Sequence, residues 1–185
     1  MANLLINNNL KQKIMACDIT AGRLEGCKDS VGGLNAIYFI NYGAPEGFAV
    51  TDETITGVTA TTPSAFKYDL KGTSTFDQSL TSSRDNGTTF AEQTLTVSLK
   101  KQDATTHKEV KLLAYGRPHI IIEDNNGLLW VMGEEFGVEM NATTSTGASL
   151  GDKSGYELVF AGMEKGLAKS YTGVLATDFA ITVGA

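Results

Sequence analysis

The sequence predicts a mainly β protein: an antiparallel β-sandwich or barrel-like domain with one flanking α-helix. Three observations carry this expectation. Threonine and glycine are abundant, 22 and 20 of 185 residues; the first suits a pleated, half-buried surface and the second suits tight turns. Short runs alternate apolar and polar residues with period two, the pattern of a strand with one face on a core. A helical pattern is clear only once. The length fits a single domain, 1–185, with a core of its own and an N-terminal arm over about residues 1–15.

Taken in order, Leu4–Ile6 reads as a short strand or an arm, and Ala16–Glu25 is ambiguous. Leu34–Tyr42 (LNAIYFINY) is aromatic and β-branched on both faces, as in a buried strand. Gly43–Gly47 is a loop, and Glu53–Thr62 alternates weakly around Ile55 and Val58. Beyond Pro63, Ser64–Leu70 places Phe66, Tyr68 and Leu70 on one face. Thr73–Leu80 follows with Phe76 and Leu80 inward, and the pair reads as a hairpin turning at Gly72. Thr81–Thr89 is expected as a polar loop. Phe90–Lys100 is the clearest strand, with Leu95, Val97 and Leu99 on one face and Thr94, Thr96 and Ser98 on the other.

The helix is expected over about 105–115. Thr106 and Glu109 fit a capping box, Val110, Leu113 and Ala114 form the apolar stripe, and Gly116 and Pro118 end it. A hairpin follows over 119–132, with Asn126-Gly127 suited to a type I′ turn. Pairing Asn125 with Leu128 sets Ile121 opposite Met132 and makes both faces apolar, so the hairpin is buried on two sides or contributes one face to a subunit contact. Phe136–Thr146, Tyr156–Met163 and Thr177–Val183 complete the strands, with Gly147–Gly155 a turn-rich connector.

The formal net charge of −6 argues against a nucleic-acid grip. Residues 1–118 balance, and the excess falls in 119–185, where nine carboxylates (Glu123, Asp124, Glu134, Glu135, Glu139, Asp152, Glu157, Glu164, Asp178) face three lysines. Such a surplus is a solubilising face, or a surface that must not hold a polyanion. Cys17 and Cys27 alone build neither a disulfide framework nor a four-cysteine zinc site, and buried free thiols are expected. The short apolar run Leu4–Ile6 ahead of Asn7-Asn8-Asn9 is too small for a signal-peptide core, and no stretch approaches the ~20 apolar residues of a membrane span. Cytoplasmic synthesis follows as the expectation, with the sequons at Asn86 and Asn141 read as turn and strand chemistry.

No catalytic, cofactor-binding or metal-ligating residue is expected. His107 and His119 have no metal-ligand spacing and no triad partners. Gly151-Asp152-Lys153-Ser154-Gly155 is a turn. Glu123-Asp124 and Glu134-Glu135 lack the spacing of a calcium loop and are expected solvated. Phosphate-loop and dinucleotide motifs are missing. Trp130 is expected in the core, and Asn86-Gly87 is open to deamidation as degradation.

Two stretches resemble a known family. They are Cys27-Lys28-Asp29-Ser30-Val31-Gly32-Gly33-Leu34 leading into Ala36-Ile37-Tyr38-Phe39, and Gly147-Ala148-Ser149-Leu150-Gly151-Asp152-Lys153-Ser154-Gly155-Tyr156-Glu157-Leu158-Val159-Phe160 followed by Gly162-Met163-Glu164-Lys165. Together they resemble structural proteins of tailed bacteriophages, above all tail tube (major tail) proteins. The resemblance implies a β-sandwich with a flanking helix, six copies closing a ring, and rings stacking into a tube. DNA passes through the lumen without specific binding. Strands line that lumen and an extended loop reaches the next ring. It further implies a virion tail location after assembly in the host cytoplasm, with itself and other tail or virion proteins as partners, no membrane, no cofactor and no enzymatic activity. The alternatives are a head–tail connector, a tail terminator, a capsid decoration protein, a tube protein of a contractile injection system, and a ligand-binding β-sandwich. Ring closure would also cover exposed strand edges by symmetry, with Thr81–Thr89 and the N-terminal arm placed to contact a neighbouring ring.

Overall fold

The computed structural model describes Ile19 and residues 21–184. The expectations for Leu4–Ile6, Cys17 and the arm over about 1–15 lie outside the described residues. The described chain is mainly β, and its strands divide between two sheets.

The larger sheet holds β1 (Leu34–Ile40), β2 (Phe48–Thr51), β3 (Thr54–Val58), β4 (Ser64–Asp69), β7 (His119–Asp124), β8 (Leu129–Met132), β11 (Lys169–Tyr171) and β12 (Ala180–Val183), in the order β12-β4-β1-β7-β8-β11-β3-β2. The smaller sheet runs β5-β6-β10-β9, from β5 (Thr75–Ser83), β6 (Thr88–Lys100), β9 (Glu139–Ser145) and β10 (Gly155–Glu164). Pairing is antiparallel except for two short parallel contacts, β12 with β4 and β11 with β3. Among the described residues, no helix is long and apolar enough to cross a membrane.

Two cores follow from strand parity. Ile37, Phe39, Ile120 and Ile122 of the larger sheet meet Leu95, Val97, Tyr156, Leu158 and Phe160 of the smaller one. Phe39 packs against Phe160 at 5.2 Å and edge-on to Tyr68 at 5.0 Å between ring centroids. The opposite face of the larger sheet has its own cluster, with Tyr38, Ile40, Ile55, Ile121, Val131, Tyr171 and Phe179. Ile181 of β12 and Ile55 of β3 belong to that cluster although their strands lie near opposite ends of the sheet, so the sheet curls upon itself. This explains why β1 and β7 are apolar on both faces: the 119–132 hairpin is buried on two sides within the chain itself.

Helix α1 (Ala104–Tyr115) lies where the sequence expects it and places Val110 and Leu113 in the inter-sheet core. Its cap lies one turn earlier than the Thr106–Glu109 box. Asp103 is the N-cap and accepts the Thr106 N–H at 2.7 Å and the Thr106 hydroxyl at 2.6 Å. A carboxylate accepts two donors at once, and these hydrogen bonds hold Asp103 below the ordinary carboxylate range.

Several expectations are corrected. Ser64–Leu70 and Thr73–Leu80 are strands but not a hairpin: β4 pairs with β1 and β12, β5 pairs with β6, and Gly72 marks a crossing between sheets. Thr81–Thr89 is not a loop, since β5 continues to Ser83 and β6 begins at Thr88 around a turn at 84–87. Leu80 is therefore exposed on a projecting hairpin. At the 119–132 hairpin the register is one residue away from that expected, with Ile121 opposite Val131. Asp124 Oδ1 accepts the N–H groups of Asn126 and Leu128, both at 2.8 Å, and holds a three-residue loop with only Gly127 at positive φ (+79°). Thr177 and Asp178 lie in a one-turn helix, α2 (Leu175–Asp178), ahead of β12. Cys27 is free but exposed, because residues 21–33 form no regular element and are all exposed.

Candidate functional site

The smaller sheet presents the most distinctive surface. Its inner face carries Phe76, Leu95, Val97, Leu158, Phe160 and Met140. The alternate residues of the same strands form the outer face, and the register aligns them in rows. One row runs Asp77, Thr94, Ala161, Glu139 and the next Thr75, Thr96, Val159, Asn141. Ser79, Glu92 and Met163 lie to one side; Ser98, Glu157 and Thr143 lie to the other. Small hydroxyl side chains are the most common members of this face, with Phe90, Val159 and Met163 as the large apolar ones. Its charged members in these strands are Asp77, Glu92, Glu139 and Glu157 against Lys100, a net of −3.

Among the described residues neither edge of this sheet has a further strand beside it, and helix α1 lies against β9. β5 pairs only with β6 and β9 only with β10, and none of the ladders is interrupted by a bulge. Neither edge strand contains proline or lysine, and each carries one carboxylate, Asp77 in β5 and Glu139 in β9. Edge strands of stable monomers are usually kept short or guarded by charge, proline or a bulge. The larger sheet follows that rule, since β2 and β12 have four residues each, whereas β5 has nine and β9 seven.

The sequence-singled residues do not converge. His107 sits in α1 with its ring 6.2 Å from that of Tyr156. His119 is buried, stacked on Tyr42 at 5.1 Å and edge-on to Phe48 at 5.5 Å. Its Nδ1 faces the Gly133 carbonyl, and its Nε2 accepts the Gly43 N–H at 3.4 Å. Burial holds His119 below the ordinary histidine range despite the Gly133 hydrogen bond, so the ring is neutral with the proton on Nδ1. Glu123 accepts from Asn35 at 2.7 Å and from the Tyr38 hydroxyl at 2.9 Å. Burial and then that bond push Tyr38 up to about 12. Glu134 pairs with Lys169 at 2.8 Å and Glu135 with Lys165. The two acidic pairs are thus engaged with separate partners instead of being simply solvated. Asp152 closes its connector by accepting the N–H groups of Ala148 and Ser149, both at 2.8 Å, which lowers its pKa. Trp130 is half-buried against the inter-sheet core.

Sequence reasoning missed Glu164, a buried carboxylate at the end of β10. It accepts the N–H groups of Glu135 (3.2 Å) and Phe136 (3.0 Å) and thereby ties down the turn after β8. Burial raises its pKa against those hydrogen bonds. Parity was the available signal, because Glu164 falls on the inward series of Tyr156, Leu158 and Phe160. It borders a cavity of about 260 Å³ with Gln93, Glu134 and Lys169. Gln93 Oε1 accepts the Gly133 N–H at 3.1 Å, and Lys169 is held charged by Glu134, whose pairing outweighs the burial of the ammonium. Lys169 and Glu134 satisfy each other while Glu164 and Gln93 take backbone amides, and among the described residues no cluster of histidine, cysteine and carboxylate side chains suits a metal ion.

The acidic surplus of 119–185 does not gather on one face. Only Glu139 and Glu157 reach the outer sheet surface, where they join Asp77 and Glu92 from the electrically balanced part of the chain. The chain matches no protein-family model, no curated protein and no solved structure.

Proposed function

We propose that this protein is a self-assembling structural subunit of a phage tail tube, closing into rings, with six copies the expected number, that stack into a conduit for DNA. The observation that carries this reading is the smaller sheet, whose two long edge strands have no further strand partner among the described residues and whose outer face is polar and acidic. Its four strands alternate in direction, so β9 of one copy beside β5 of the next continues the antiparallel order. A rotationally symmetric ring uses this head-to-tail contact and leaves no edge over, whereas a twofold dimer covers only one of the two edges.

The dimensions agree with a conduit. Six such sheets at about 4.8 Å between strands have a backbone circumference of about 115 Å and a diameter near 37 Å before tilt widens it. Side chains on the inner wall leave roughly 25 Å, and the small hydroxyl side chains of the outer face keep that bore open. The acidic surplus there disfavours phosphate contact, so a duplex would slide without gripping. The projecting β5–β6 hairpin extends beyond the core and is placed to reach a neighbouring ring.

The test is negative-stain electron microscopy of the purified protein over a concentration series, beside its solution mass. Hollow sixfold rings or stacked tubes support the reading. A particle that stays monomeric at high concentration counts against it and favours a decoration or ligand-binding domain.

A further inference from the structure

We propose that Asn86 is a site of spontaneous deamidation in the folded protein and that Asn126, in the same Asn-Gly dipeptide, is locked against it by the segment at Val31. The reaction needs the backbone nitrogen of the following glycine to attack Cγ of the asparagine side chain. The N–Cγ bond forms, the Cγ–Nδ2 bond breaks, and ammonia leaves with the glycine amide proton. Water then opens the cyclic imide at either carbonyl to give aspartate or isoaspartate, adding one negative charge to the chain.

The two sites share their steric setting. Gly87 and Gly127 both have positive φ, +62° and +79°, and a Cβ at either position would meet nothing within 4 Å. Hydrogen bonding separates them. Asn126 Oδ1 accepts the Val31 N–H at 2.9 Å, and its Nδ2 donates to the Val31 carbonyl at 2.8 Å. The nucleophile is held as well, since the Gly127 N–H donates to the Asp124 carbonyl at 3.1 Å. Asn125 Nδ2 adds a bond to the Gly32 carbonyl at 2.8 Å and secures the same segment. At the tip of the β5–β6 hairpin, the Asn86 backbone N–H donates to Ser83 Oγ at 3.3 Å. Among the described residues, neither the Asn86 side-chain amide nor the Gly87 N–H enters a turn or side-chain hydrogen bond. Attack at Asn126 requires breaking bonds that have no counterpart at Asn86 among the described residues.

The experiment incubates the intact folded protein at mildly alkaline pH and follows aspartate and isoaspartate at each site by peptide mass spectrometry, with a urea-unfolded sample alongside. The expected result is conversion at Asn86 about tenfold or more faster than at Asn126 when folded, the factor that one or two net hydrogen bonds imply. Similar rates are expected when unfolded. Equal folded rates, or faster conversion at Asn126, would overturn the proposal. Val31→Pro removes the donor to Asn126 Oδ1 in an exposed segment outside the strands, and is expected to raise the Asn126 rate while leaving that of Asn86 unchanged. Hydrogen exchange gives an independent readout: a Gly127 N–H exchanging as fast as that of Gly87 also refutes the lock.

Discussion

His119 makes the stability of this protein depend on pH in a calculable direction. Its ring is buried between Tyr42 and Phe48, and both nitrogens are committed, Nδ1 toward the Gly133 carbonyl and Nε2 accepting from Gly43. Protonation would set a donor at Nε2 against the Gly43 N–H and would charge a buried ring. The folded pKa therefore lies below the 6.5 of the free side chain. Between those two values the unfolded chain binds a proton that the folded chain refuses. The contribution is fully present above pH 6.5 and is lost as pH falls toward the folded value. One proton sets the steepest slope at about 1.4 kcal/mol per pH unit, so up to that amount is lost in the first unit below the free value. Glu164 acts in the opposite sense: its raised folded pKa adds stability as pH falls toward 4.5. The measurement is therefore urea unfolding over a pH series in a Glu164→Gln background, with and without His119→Gln, which keeps a donor and an acceptor but does not titrate. Loss of the slope below pH 6.5 in the double variant is expected. An identical slope in both proteins would refute the assignment of the proton to His119.

Three further predictions follow from the smaller sheet. Phe160→Ala empties the inter-sheet core and should cost about 3–5 kcal/mol in urea unfolding, while Val159→Ala, next to it but on the outer face, should cost under about 1 kcal/mol; equal costs would show the parity to be wrong. Gly155→Ala brings a Cβ onto the Leu99 carbonyl oxygen across the β6–β10 ladder and should cost about 1–3 kcal/mol or more, read as a lowered denaturation midpoint. Glu139→Lys with Glu157→Lys, each replacing a negative charge by a positive one, moves the outer face from a net of −3 to +1 and should leave folding intact. Retention on duplex DNA should then appear at low salt and weaken by about 0.9 log units per tenfold rise in salt for each phosphate contacted; no gain in retention would remove these carboxylates from any DNA-facing role.

What the sequence made legible is parity, and what it hid is partnership. β6 was readable residue by residue because Leu95, Val97 and Leu99 alternate with Thr94, Thr96 and Ser98 across a half-buried strand. The same alternation in β4 and β5 identifies two strands separated by Gly72 but does not say that they enter different sheets. That choice is made by distant groups: β4 docks on β1, and the Leu70 N–H donates to the Asn35 carbonyl at 2.9 Å. The 119–132 hairpin was legible as an element, yet one carboxylate of Asp124 widens its turn and changes its register. Asp103 displaced Thr106 as the helix cap because the carboxylate engages both the amide and the hydroxyl of Thr106.

The outer face shows the same division between pattern and placement. Counting charge along the chain pointed to residues 119–185, but a sheet assembles its surface by register, not by position in the chain. Asp77 and Glu139 share one row although β6 and β10 lie between them. Most carboxylates of the acidic third are used elsewhere: Glu134 and Glu135 pair with lysines, Glu164 binds backbone amides, and Asp124 and Asp152 close turns. The open edges of β5 and β9 were invisible for a deeper reason. An edge is defined by the strand that is missing beside it, and no local pattern records that. The threonine-rich alternation suits a strand with one wet face. Only the topology reveals that this sheet ends in two long strands, neither of which has a further strand partner among the described residues.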